Sequence, residues 1–143
     1  MNRSILTDQQ KSVLYTCITH LQKALNVEPF NLKCKELYKI ILMYITIFNS
    51  DPTENINMLR NVLMVDPCDY QLQYNLGFMY QRANKLEESI CHLKLAIGII
   101  DLHLNKDKKD DEIKNLKQFK VKCLNSIGGV YFTIQDRELA KYF

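Results

Sequence analysis

Glycine and proline are scarce in this chain, with four Gly and three Pro in 143 residues. That excludes a collagen-like sequence, a Gly-rich linker, and an all-β chain with a turn about every ten residues. Long hydrophobic runs are missing too. The longest, residues 40–48, has nine residues, whereas a bilayer-spanning helix needs roughly 20. The opening residues MNRSILTDQQK are broken by polar side chains too often for the apolar stretch of a signal peptide. Charge of one sign is also in short supply. Nineteen Lys and Arg against sixteen Asp and Glu leave a net charge of +3, too little to imply nucleic acid or membrane by bulk electrostatics. The five cysteines (Cys17, Cys34, Cys68, Cys91, Cys123) are odd in number and include no C-x-x-C pair. They read as reduced, mostly buried thiols of a reducing compartment. These absences place the chain inside a cell, in the cytoplasm with the nucleus as the alternative. What is present is 47% hydrophobic residues, enough for a buried core in one domain. Helix is the class that remains.

Catalytic motifs are absent as well. The chain has no G-x-S-x-G, phosphate loop, H-E-x-x-H or G-x-G-x-x-G. His20 and Cys17 could meet on one helix face, as could His92 and Ser89, but two ligands fall short of the three or four of a zinc site. His103, just before a charged loop, reads as solvated. No metal and no cofactor is expected, and the chain is not expected to be an enzyme. Lys106, Lys108, Lys109, Lys114, Lys117, Lys120 and Lys122 form the one charge concentration. A basic stripe can track phosphates, but Asp107, Asp110, Asp111 and Glu112 dilute it and Phe119 is its sole aromatic, which argues against nucleic acid.

The prolines punctuate: Pro29, Pro52 and Pro67 fall where a helical chain would turn. Gly77, Gly98, Gly128 and Gly129 lie instead within stretches that read as helix, at a cost of about 0.5–1 kcal/mol each relative to Ala. Close approach of a second helix would offset that cost. The predicted helices are 7–27, 31–49, 53–65, 70–83, 86–104, 112–134 and 137 onward.

A period of 34 residues relates Leu42 to Leu76, Leu59 to Leu93 and Val62 to Ala96. Within residues 70–101 the order is Leu76-Gly77, Tyr80, Ser89, Leu93, Ala96. Ile127-Gly128, Tyr131 and Ala140 repeat the first part of that spacing. Cys17, Leu21, Ala24 and Pro29 repeat the second. This pattern resembles the tetratricopeptide repeat, with Gln73 in place of its Trp, Leu93 in place of its second aromatic and Asp101 in place of its closing Pro. The resemblance implies an all-α fold, an α-solenoid of antiparallel helix pairs in a right-handed superhelix. Three to four repeats are expected: a half repeat at 7–30, repeats at 31–67 and 70–103, a charged insertion at 104–112 and a truncated repeat at 113–143. In the middle repeat Met43 and Asn55 occupy the small positions, which predicts looser or shifted packing there. The truncated last repeat and the apolar Ala140, Tyr142 and Phe143 suggest the N-terminal part of a longer protein. A homo-oligomer covering the same surface is the competing explanation.

In such repeats the first helix of each pair lines a concave groove that takes an extended peptide or a partner helix. The resemblance therefore makes this chain a non-catalytic scaffold or adaptor whose partner is a protein or peptide. In helix 70–83 it leaves Gln71, Tyr74, Asn75, Phe78 and Arg82 as the binding stripe. Amides can pair with a peptide backbone, rings supply stacking area and Arg82 can hold a carboxylate. The corresponding stripe of helix 112–134 is Lys122, Asn125, Gly129 and Phe132. In helix 31–49 it is Leu37, Ile40, Tyr44 and Phe48, either an apolar binding surface or a face covered by the N-terminal helix. Asn75, just before Leu76-Gly77, stands where the repeat arrays of protein O-glycosyltransferases hold the substrate backbone. It keeps a second reading open, the substrate-recognition region of a larger enzyme.

Overall fold

The computed structural model describes residues 6–49 and 51–141, and among them every regular element is a helix. In chain order these are α1 (Asp8–Val27), α2 (Leu32–Phe48), α3 (Pro52–Val65), α4 (Tyr70–Arg82), α5 (Leu86–Leu104) and α6 (Asp110–Ala140). The chain forms two compact units that divide after Pro67.

The helix starts follow from local polar chemistry. Thr7 and Gln10 form a reciprocal capping box at α1, Gln10 N–H donating to Thr7 Oγ1 at 3.2 Å and Thr7 N–H to Gln10 Oε1 at 2.9 Å. Asn31, Asp51 and Asp69 cap α2, α3 and α4 by accepting backbone N–H groups of Cys34, Thr53 and Leu72. No side chain caps α5 or α6. Their first turns carry Glu87 and Glu88, and Asp110, Asp111 and Glu112, whose charge favours the positive end of the helix dipole. Asn84, at φ 65°, makes the left-handed turn that folds α5 back on α4, a conformation asparagine tolerates better than most residues.

In the first unit α2 packs against α1 and against α3. Ile18 and Leu25 of α1, Tyr38, Leu42 and Ile45 of α2, and Ile56, Leu59 and Val62 of α3 are buried. The Tyr38 hydroxyl accepts from Gln22 Nε2 at 2.9 Å, and burial raises its pKa against that bond's opposing pull. Lys39 and Asp66 pair at 2.7 Å. Asn55, fully buried where the 34-residue frame puts Ser89 in the next pair, joins the end of α2. Its Nδ2 donates to the carbonyl of Asn49 at 3.1 Å and reaches that of Thr46 at 3.4 Å, while its Oδ1 accepts from Asn49 Nδ2 at 3.1 Å.

In the second unit α4 and α5 meet at Gly77. A Cβ there would stand 2.9 Å from Leu93 Cγ and 3.2 Å from the Ser89 carbonyl oxygen, and the Ser89 hydroxyl donates to the Gly77 carbonyl at 2.7 Å. Beside it His92 stacks on Tyr80, ring centroids 5.3 Å apart, with Nδ1 2.8 Å from Gln73 Oε1. Gln73, the departure from the repeat's Trp, is thus a buried partner of His92. Ala96 and Ile100 of α5 pack on Leu116 and Cys123 of α6.

Four sequence expectations change. Of the glycines within helices, Gly77 alone is pressed by a second helix; a Cβ at Gly98, Gly128 or Gly129 meets nothing within 4 Å. The last two predicted helices are one, because α6 runs unbroken to Ala140. Gln135 stands where the frame would put Asn84, and glutamine does not favour the left-handed turn that asparagine makes there. His103 is half-buried, edge-on to Tyr70. Finally, the cysteines are not mostly buried: Cys17, Cys68 and Cys91 are exposed, Cys34 is half-buried and Cys123 is buried.

Burial pushes the Cys123 thiol from its ordinary 9.0 up to about 11, against the opposing pull of the Lys122 charge. A thiol-selective alkylating reagent near neutral pH should therefore label Cys17, Cys68 and Cys91 in the folded protein and Cys123 only after unfolding. Between pH 9 and 11 the unfolded chain gives up this proton while the folded one keeps it, so Cys123 makes stability fall as pH rises through that window. Replacing Cys123 by Ala should flatten the fall in a urea titration repeated across it.

Candidate binding groove

The expected binding stripe lies on α4 and α6 of the second unit. Tyr70 and Tyr74, one turn apart on α4, both meet Phe119 of α6 edge-on, with ring centroids 5.0 and 5.3 Å apart. Lys122, one turn after Phe119, lays its ammonium over Tyr74 at 4.8 Å and over Phe119 at 5.4 Å. A cation over a ring face is worth about 0.5–1 kcal/mol at an exposed site. Ser126 Oγ completes the layer, 3.4 Å from the Tyr74 hydroxyl. Burial raises the Tyr70 pKa, with the Asp69 charge adding to it.

The predicted residues divide by role. Tyr74 and Lys122 are brought together, as floor and edge of one aromatic layer. Gln71, Phe78 and Arg82 are exposed along the same side of α4, Phe78 with 42% of its surface open. Asn75 is half-buried and makes an interaction within the protein. On α6, Asn125 and Phe132 are exposed. Sequence reasoning missed Tyr70, Phe119 and Ser126 as parts of this layer. Their signal was the spacing: Tyr70 precedes Tyr74 by four and Phe119 precedes Lys122 by three, both same-face intervals on a helix.

The lysine concentration does not act as one stripe. Lys120 pairs with Asp101 of α5 at 2.7 Å, Lys122 caps the aromatic layer, and Lys114 and Lys117 are exposed.

Tyr44 belongs to the first unit, where it is half exposed and packs on Phe48 with centroids 4.7 Å apart. Leu37, Ile40 and Ile47 are exposed on the same helix, so α1 leaves this apolar face open. At one end Tyr44 shares a shallow cleft with Leu6, Gln10 and Val13. Among the described residues, no group of three His, Cys, Asp or Glu side chains is placed to hold a metal, and no helix is long and apolar enough to cross a membrane.

Comparison with protein-family models, with curated proteins and with solved structures finds no match for this chain.

Proposed function

We propose that the chain is a non-catalytic interaction scaffold, an α-solenoid of antiparallel helix pairs in the manner of tetratricopeptide repeats. A peptide or helix of a partner protein would lie along the stripe of α4 and α6. One observation carries this reading. The aromatic layer of Tyr74, Phe119 and Lys122 forms a preorganised floor, and exposed side chains of complementary chemistry stand beside it: Gln71, Phe78 and Arg82 on α4, Asn125 on α6. Such a surface offers rings for stacking, amides for a peptide backbone and a guanidinium for a carboxylate, the elements by which grooves hold short segments. The Gly77–Ser89–Leu93 contact supports the repeat reading, because small residues opposite bulky ones let paired helices approach.

A random peptide library displayed on phage and selected against the chain tests the proposal. Enriched peptides should lose at least roughly tenfold in affinity to the Phe78→Ser and Arg82→Glu variants, since aromatic and Arg anchors dominate such interfaces. Both residues are exposed, so the fold should be retained. Peptides indifferent to both changes would remove the groove from the reading.

A further inference from the structure

The helix α6 carries a second face that the groove does not use. Residues 114, 117, 121, 124, 128, 131, 135 and 138 follow one another at alternating steps of three and four, the spacing of a coiled-coil seam. They are Lys, Lys, Val, Leu, Gly, Tyr, Gln and Glu, and all eight are exposed. Val121, Leu124 and Tyr131 leave 55%, 51% and 48% of their surfaces open. Leu116, Cys123 and Val130, which bury α6 against its own unit, lie on another side. The groove residues Lys122, Asn125, Gly129 and Phe132 each follow a seam residue by one, about 100° further round the helix.

We propose that this seam is the contact of a symmetric dimer, α6 pairing antiparallel with α6 of a second copy of the chain. The pattern is complementary to itself in that orientation. With Leu124 set opposite Gly128 of the mate, Val121 faces Tyr131, Lys117 faces Gln135 and Lys114 faces Glu138, each pair occurring twice about the two-fold axis. Lys114 thereby meets Glu138 of the mate, a carboxylate that in the single chain pairs with Lys141 of its own helix at 3.0 Å. Steps of three and four are kept on both strands, as antiparallel coiled-coil layers require.

The centre repeats a contact the protein already makes. Leu93 of α5 fills the space over Gly77, in the motif Leu76-Gly77 with Tyr80. Ile127-Gly128 with Tyr131 has the same spacing, and the space over Gly128 is open. Leu124 of the mate is the knob that Leu93 is to Gly77. The inference stands apart from the groove reading and survives if that reading fails.

Sedimentation equilibrium of the 143-residue chain over a concentration series tests it. The wild type should show a reversible monomer–dimer equilibrium. Lys114→Glu and Glu138→Lys should each weaken association by roughly tenfold or more, since each places like charges opposite one another twice. The double variant K114E/E138K restores opposite charges and should return to within a few-fold of wild type. Gly128→Leu should abolish the dimer by filling the hole, with the helical circular dichroism of the monomer unchanged. A chain that stays monomeric throughout, as when a different protein or a further helix of a longer chain covers this face, overturns the proposal. So does a dimer indifferent to these substitutions.

Discussion

Replacing Gly77 by leucine should lower the unfolding free energy by roughly 1–3 kcal/mol, the cost of forcing extra methylenes into a packed core. The physical cause is specific. A Cβ at this position already stands 2.9 Å from Leu93 Cγ, and the carbonyl of Ser89 closes the other side at 3.2 Å. Leu93 can swing aside only by surrendering its own fully buried position, and the Ser89–Gly77 hydrogen bond at 2.7 Å fixes the spacing of α4 and α5. The same substitution at Gly98, where a Cβ meets nothing within 4 Å, should leave stability unchanged or raise it by about 0.5–1 kcal/mol through helix propensity alone. Urea midpoints of the two variants measure the contrast. Combining Gly77→Leu with Leu93→Ala should cost less than the separate effects added, because the two side chains compete for one volume. Equal midpoints for the Gly77 and Gly98 variants would mean that α4 and α5 are not packed as described.

The second large effect is expected at Asn55. Changing it to leucine keeps the branched shape with a somewhat larger volume but strands the partners of its amide, the Asn49 side chain and the carbonyls of Asn49 and Thr46. A buried polar group left without a partner costs about 1–3 kcal/mol, and the denaturation midpoint should fall accordingly. Asn49 Nδ2 retains its bond to Glu54 Oε2 at 3.1 Å, which keeps the loss toward the lower end. The 34-residue frame places a small residue here. The chain instead ties α3 to the end of α2 by polar contacts. An unchanged midpoint would show that these bonds contribute nothing net.

The starts of the first four helices were legible because they are written in short-range chemistry. Thr7, Asn31, Asp51 and Asp69 are caps, and Pro29, Pro52 and Pro67 punctuate between them. The end of α6 was not legible from repetition, since the frame called for a turn that Gln135 does not make. Glycine position misled in the same way. Gly77 and Gly128 share a motif, yet only the first has another helix of its own chain over it, because what fills the space above a glycine is a property of the neighbour. In the proposed groove, Tyr74 and Lys122 each follow from their own helical stripe. Their meeting through Phe119 depends on how α4 and α6 pack, which a pattern along one helix does not contain.

Backbone amide chemical-shift mapping during titration with a peptide selected from the displayed library tests the central claim most directly. The account predicts shifts concentrated at Gln71, Phe78 and Arg82 of α4 and at Lys122 and Asn125 of α6. Shifts confined to the outer face of α5, around Lys94, Leu95 and Leu102, would contradict it.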